Sequence, residues 1–164
     1  MVNICQAALQ DLDAITAIYN DAIINTTATF DTAPKSRKEQ SAWFKDHTGK
    51  YEILVTEIDN KVIGWASLSK WSDRCAYSDT AECSLYINES FRQRGYGKTL
   101  FKAILREAEV ARFHTIIARI AEGNNTSIHL CETAGFQHIG TMKEVGRKFG
   151  KLLDVHLMQL MLGE

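Results

Sequence analysis

The sequence predicts an α/β protein built on one mixed sheet, with helices on both faces. Three observations carry this. Strand-like alternation and helix-like recurrence of apolar residues interleave along the whole chain. A short polar turn, Asp59-Asn60, joins two of the strand-like runs as a hairpin. A glycine-bearing loop over 92–98 leads from a strand into a helix N-terminus past mid-chain. The predicted order is β-α-α-β-β-β-α-β-α-β-β. At 164 residues, with no repeat, low-complexity tract or linker, the chain is expected to form one domain over 1–164.

Each element has its own signal. Over 11–23, Leu12, Ile15, Ile18, Tyr19 and Ala22 fall on one face of a helix. The polar run Asn25 to Asp31 reads as a loop ending near Pro34, the only proline. Ser36 and Glu39 are spaced for a capping box, opening a helix to about His47. Residues 52–58 and 61–69 form the hairpin strands. Glu82 to Ile87 alternates polar and apolar as a half-buried strand does. Leu100, Phe101, Ile104, Leu105 and Ala108 then mark a helix to about Arg112. Thr115–Ala121 is β-branched and apolar, and 124–134 is helical, stopping at Gly135. Two final strands are expected over 136–143 and 153–161.

Composition narrows the function. A hydrophobic fraction of 45%, a charged fraction of 24% and a net charge of -1 describe an ordinary soluble chain. They argue against a general nucleic-acid or anionic-membrane binder. No apolar run approaches a membrane span, and the first residues lack a signal peptide's basic flank and apolar core. Cys5, Cys75, Cys83 and Cys131 are scattered, as are the five histidines, so no metal site or disulfide framework is expected. Cytoplasmic residence is expected.

The chemistry concentrates in Arg92-Gln93-Arg94-Gly95-Tyr96-Gly97-Lys98. Unpaired N–H groups and the dipole of a helix N-terminus attract anions, and glycines let a diphosphate approach the backbone closely. Arg92, Arg94 and Lys98 add local positive charge. The spacing is neither that of a P-loop nor that of a dinucleotide fingerprint. It resembles the acetyl-CoA pyrophosphate loop, Gln/Arg-x-x-Gly-x-Gly/Ala, of the GNAT superfamily of N-acetyltransferases. A second stretch, Asn124 to Phe136, is similar to that superfamily's Asn-x-x-Ala/Ser-x-x-x-Tyr-x-x-x-Gly-Phe segment.

Nearly the whole chain further resembles the phosphinothricin and methionine sulfone/sulfoximine acetyltransferases. The matching stretches are 18–22, 25–31, Ala42-Trp43-Phe44, Gly64-Trp65-Ala66-Ser67, Arg74-Cys75-Ala76-Tyr77, 80–87, 145–150 and 153–155. The resemblance implies a GNAT fold, with a largely antiparallel sheet whose fourth and fifth strands splay around acetyl-CoA. It implies acetyl transfer to the amine of a small molecule by direct attack in a ternary complex, and a homodimer.

Residue by residue, the resemblance implies Glu82 as general base. Backbone groups of Leu85, Tyr86 and Ile87 would pair with the pantetheine and hold the developing oxyanion. The 92–98 loop would bind the diphosphate. Asn124 and Ser127 would line the pantetheine arm. Cys131 stands where the superfamily usually carries a proton-donating Tyr and the phosphinothricin group often His. It is a candidate general acid or a neutral wall. Phe30, Trp65, Arg74, Cys75 and Tyr77 are the candidate acceptor residues, with Asn25–Phe30 and Val145–Gly150 closing the pocket. Two departures stand out: Ser78 and Leu152 occupy positions where family members often carry Arg and Trp. The rival readings are a protein or peptide N-acetyltransferase and a non-catalytic acyl-CoA sensor.

Overall fold

A computed structural model describes residues 2–163. The sequence folds into β1 (Val2–Gln6), α1 (Leu12–Asn25), α2 (Arg37–Asp46), β2 (Ile53–Ile58), β3 (Lys61–Lys70), β4 (Thr80–Ile87), α3 (Tyr96–Val110), β5 (Thr115–Ala121), α4 (Asn125–Thr133), β6 (Gln137–Lys148) and β7 (Lys151–Met161). The element order is the expected one. Seven strands form a single sheet in the order β1-β2-β3-β4-β5-β7-β6. All neighbours are antiparallel except β4 and β5.

That exception shapes the molecule. The parallel pair is in register only at Thr80↔Thr115, Ala81↔Ile116 and Glu82↔Ile117. Beyond Glu82, β4 stays paired to β3 as far as Ile87, and β5 stays paired to β7 as far as Ala121. The two strands therefore part like the arms of a V, leaving one edge of β4 without a strand partner.

Two apolar layers hold the sheet. On one face α3 and α4 bury Leu100, Phe101, Ile104 and Cys131 against Ala81, Cys83, Ile116 and Ile120. Phe101 stacks on Phe136, with centroids 5.7 Å apart. On the other face α1 packs Ile15 and Ile18 over Val55 and Trp65, with Trp43 and Phe44 of α2 beside them. Alternation along β4 serves both layers: Cys83 and Leu85 face α3, while Tyr86 joins the α1 side.

Local chemistry explains the boundaries. The capping box at α2 forms as the spacing predicts: Glu39 N–H donates to Ser36 Oγ at 3.2 Å, and Ser36 N–H donates to Glu39 Oε2 at 2.8 Å. The last hairpin is longer than expected. β6 runs to Lys148 rather than to 143, and β7 begins at Lys151. A register shift between Met142 and Gly146 breaks the alternation that sequence reading relies on. Asp154 holds that shift, accepting Glu144 N–H at 2.8 Å and Lys143 Nζ at 2.7 Å. The expected 145–150 loop is thus the tip of a hairpin, with only Phe149 and Gly150 turning the chain.

Candidate active site

A cleft of about 570 Å³ fills the V. Its walls come from β4 (Glu82, Ser84, Leu85, Tyr86), β5 (Ala118, Arg119), α4 (Ser127, Cys131) and the segment after α1 (Thr29, Phe30, Asp31). Residues from both faces of the sheet line it, so the parting of two strands turns a closed surface into a passage.

The 92–98 loop lies where β4 hands over to α3. Gln93 and Gly95 both have positive φ, 60° and 85°, with only Arg94 between them. Gly95 is the N-cap of α3 in a left-handed conformation, with no side-chain cap and no acidic residue in the first turn. The first hydrogen bond there runs from Thr99 N–H to Gly95 C=O, so the amides before it lie outside the helical ladder. Arg92 is partly committed, its Nε donating to Ile87 C=O at 2.9 Å. Gly97 has ordinary backbone angles, and a Cβ there would make only ordinary contacts, 3.6 Å to Ile87 and 3.8 Å to Leu85. Nothing in the protein itself demands glycine at 97. The space over the backbone at 97 is left open.

Glu82 sits at the fork, the last β4 residue paired to β5. Its carboxylate is held by Arg119 of β5 in a two-pronged ion pair: Nε to Oε1 at 2.6 Å and an Nη to Oε2 at 2.7 Å. The Glu82 side chain is only 16% exposed, against 52% for Arg119. This pairing holds the guanidinium more firmly protonated than usual. A carboxylate offers about four lone-pair directions and Arg119 takes two, so Glu82 can accept further hydrogen bonds.

Cys131 and Ser127 of α4 both line the cleft, one helical turn apart. Burial, reinforced by Glu132, pushes the Cys131 thiol up to about 12. At neutral pH it is therefore a neutral S–H. Asn124 caps α4 by accepting Ser127 N–H at 3.2 Å and also lines the cleft.

On the acceptor side Phe30 lies across Gly146 of β6. A Cβ at 146 would stand 2.2 Å from the Phe30 ring, so glycine there makes room for the aromatic wall. The segment carrying Phe30 is tied down at several points. The Lys148 ammonium, buried on the protein side, donates to Thr29 C=O at 2.7 Å. Tyr19 Oη bonds Asp31 and lies 3.0 Å from Thr29 Oγ1. Asn20 brackets Lys35 through both its N–H and its C=O.

The expected site residues fall into separate groups, with the 92–98 loop at the start of α3 standing outside the walls of both cavities. Glu82, Leu85, Tyr86, Asn124, Ser127, Cys131 and Phe30 meet in the cleft. Ile87 lies buried below the glycine loop, and Trp65 lines a smaller adjoining cavity. Arg74, Cys75 and Tyr77 do not join them. They occupy an exposed 3-10 turn and its N-cap in the β3–β4 connection, outside the walls of both cavities. Sequence reading missed Arg119, whose one available signal was a lone charge in the apolar run Thr115–Ala121. It also missed Asp31 and Ser84 as wall residues. Among the described residues no group of three or more His, Cys, Asp or Glu side chains could hold a metal ion.

Uncommitted amides at a helix start, a glycine whose side-chain space the protein leaves free, and an unpaired β4 edge fit a diphosphate carrying an extended arm. Comparison with known proteins agrees. The GNAT acetyltransferase domain model matches residues 4–157. The L-methionine sulfoximine/L-methionine sulfone acetyltransferase of Pseudomonas aeruginosa is 38% identical over 162 residues, covering 98% of this chain and 94% of that one. A GNAT superfamily phosphinothricin acetyltransferase from Sinorhizobium meliloti, crystallised with acetyl-CoA, superposes with a TM-score of 0.95 at 34% identity, covering 99% and 89% of the two chains. A ribosomal-protein-alanine N-acetyltransferase structure from Brucella melitensis gives 0.95 at 35% identity, covering 98% and 99%. The chain belongs to the GNAT family of acetyltransferases.

Proposed function

We propose that this enzyme acetylates the amine of a small amino-acid-like acceptor, with methionine sulfone, methionine sulfoximine and phosphinothricin as first candidates, and that Glu82 is its general base. The observation that carries the reading is Glu82 itself: a shielded carboxylate, fixed by Arg119, at the fork of the V and in the wall of the cleft.

The acceptor arrives as an ammonium ion and must lose a proton before its nitrogen can attack. Glu82, directly or through one water, takes that proton. Acetyl-CoA supplies an activated acyl group on a good leaving thiolate. The 92–98 amides and Arg94 hold its diphosphate end, while Asn124, Ser127 and the unpaired β4 edge orient the arm. An amide of the Leu85–Ile87 stretch faces the carbonyl oxygen as charge builds there. Cys131, held as a neutral thiol, is suited to returning a proton and unsuited to nucleophilic attack. Transfer is therefore direct.

Free cysteines at all four positions are in keeping with a reducing, cytoplasmic setting. Exposed Val145, Phe149 and Leu152 around the last hairpin tip support a homodimer. In that dimer we place Arg74, Cys75 and Tyr77 as the remaining acceptor contacts.

The Brucella relative favours a second reading, acetylation of a protein N-terminus. A panel assay separates the two: thiol release from acetyl-CoA with the three candidates, common amino acids, polyamines and short peptides. Turnover on a free amino acid analogue, with peptides silent, supports the small-molecule reading, and the reverse replaces it. Glu82→Gln is expected to lower kcat by about 10²–10⁴-fold while acetyl-CoA affinity holds. Undiminished turnover would remove Glu82 from the role, whereas a wild type that binds acetyl-CoA but turns over no acceptor would revive the sensor alternative.

A further inference from the structure

Next to the transfer cleft lies a second cavity, of about 300 Å³, on the α1–α2 face of the sheet. The two share Tyr19, Asp31, Ser69, Ser84 and Tyr86 as wall residues, so the second opens off the first just past Glu82. Its sides are aromatic. Trp65 lies 4.9 Å from Tyr86, 5.3 Å from Trp43 and 5.8 Å from Tyr19 by ring centroid.

Its polar groups fall into two sets. The charged ones are already engaged. Asp31 takes Tyr19 Oη and Lys35, and Glu39 is locked into the α2 capping box. Ser69 Oγ is paired with His47 Nε2 at 3.0 Å. Among the neutral groups, Ser69, Tyr19 and Tyr86 are paired, whereas Gln40, Ser67 and Ser84 are not. Gln40 is 4% exposed and Ser67 1%. Within the described residues neither their side chains nor the Ser84 hydroxyl makes a hydrogen bond, and all three line this cavity. The Trp65 indole N–H, in the same wall, is also unpartnered. Among the described residues only Trp65 Nε1 and Thr56 Oγ1 are wholly buried without a partner, so the Gln40, Ser67 and Ser84 groups open onto the hollow, free to bond what enters it.

We infer that this cavity is the specificity pocket for the acceptor's side chain, that it selects a neutral head rich in hydrogen-bonding atoms, and that Gln40 and Ser67 are its determinants. Sulfone, sulfoximine and carboxamide heads fit: their oxygens accept from the Gln40 amide and the serine hydroxyls, while the chain's methylenes lie along the aromatic walls. A thioether or alkyl head would leave the polar groups unpaired. An anionic phosphinate would meet Asp31 and Glu39, with the one cation among the described wall residues, Lys35, already paired. This rests on the acceptor reading above and narrows it to one head-group class.

The test is the ratio of kcat/KM for methionine sulfone over methionine, with phosphinothricin as a third acceptor. Wild type is expected to prefer the sulfone to both. Gln40→Leu and Ser67→Ala should each reduce the sulfone-to-methionine ratio by about tenfold for each hydrogen bond lost. KM for acetyl-CoA and the melting temperature serve as controls. If Gln40→Leu does not fold, Ser67→Ala decides alone. A ratio unmoved in a folded variant overturns the pocket, as does wild-type preference for phosphinothricin. Calorimetry of methionine sulfone on CoA-loaded protein separates this from the transfer reading. Binding weakened by the variants, without any turnover, upholds the pocket and sinks the acceptor chemistry. No binding to wild type sinks the pocket.

Discussion

In the proposed reading, the glycine loop beside the cleft and the acceptor side within it would recognise their ligands by different means. The donor half is made of backbone: uncommitted amides at the start of α3, a left-handed Gly95, a side-chain-free Gly97 and the unpaired edge of β4. The acceptor half is made of side chains drawn from α1, α2, β3, β4 and β6. Backbone recognition depends on a few residues close in sequence and tolerates little change. Side-chain recognition depends on many residues distant in sequence, and can be retuned one position at a time.

The sharpest way to break the donor half is Gly97→Trp. The Cβ itself fits, so α3 and the Phe101–Phe136 layer should survive. The indole, however, would occupy the space a diphosphate needs. Acetyl-CoA affinity is expected to fall by about 10²-fold or more, equivalent to about 2.7 kcal/mol, with circular dichroism and melting temperature near wild type. Unchanged affinity in calorimetry would place the diphosphate elsewhere.

A smaller effect is expected where the halves meet. Arg119 touches neither ligand in this reading and acts by positioning Glu82. Arg119→Gln should lower kcat by about tenfold and leave KM for acetyl-CoA alone. Arg119→Lys, which keeps the charge but not the fork, should recover only part. A double-mutant cycle distinguishes positioning from general destabilisation. Once Glu82 is Gln, removing Arg119 should cost almost nothing further in kcat. Additive losses would mean that Arg119 works independently of Glu82.

The same contrast explains what the sequence could reveal. The glycine loop, the α2 capping box and the amphipathic faces of α1 and α3 are local patterns, legible because each is fixed by residues within a turn or two. Glu82 and Cys131 were legible through resemblance. Arg119 was not, since its partner lies on a strand 37 positions away, and only the parallel pairing of β4 with β5 brings them together. Gln40 and Ser67 carry no motif at all. Their meaning comes from lacking a partner in a shared hollow, which a linear pattern cannot express. The 74–77 stretch shows the converse. Its composition suggests an acceptor clamp, yet the chain places it on an exposed turn outside both cavities.

The smallest expected effect concerns Cys131 and sharpens the claim that the leaving sulfur meets a neutral thiol. Burial raises this group from an ordinary value of 9.0 to about 12 in the folded chain. Between those values the unfolded chain has released the proton and the folded chain still holds it. The unfolded state then binds fewer protons, so stability must fall as pH rises. The contribution is intact below about pH 9 and is lost progressively as pH approaches 12, at about 1.4 kcal/mol per pH unit for one group. Cys131→Ala removes that slope. Urea unfolding of wild type and variant should therefore converge as pH rises from 8 toward 11, the wild type losing more. Cys83, buried and raised first by desolvation, is also raised by Cys131, so wild type and variant are compared in a Cys83→Ala background. Parallel pH curves would show that Cys131 is exposed to water and ionises normally. A thiolate nucleophile would then become tenable, and acetylated enzyme should accumulate when acetyl-CoA is mixed with protein alone. With the thiol held neutral, intact-mass measurement should find none.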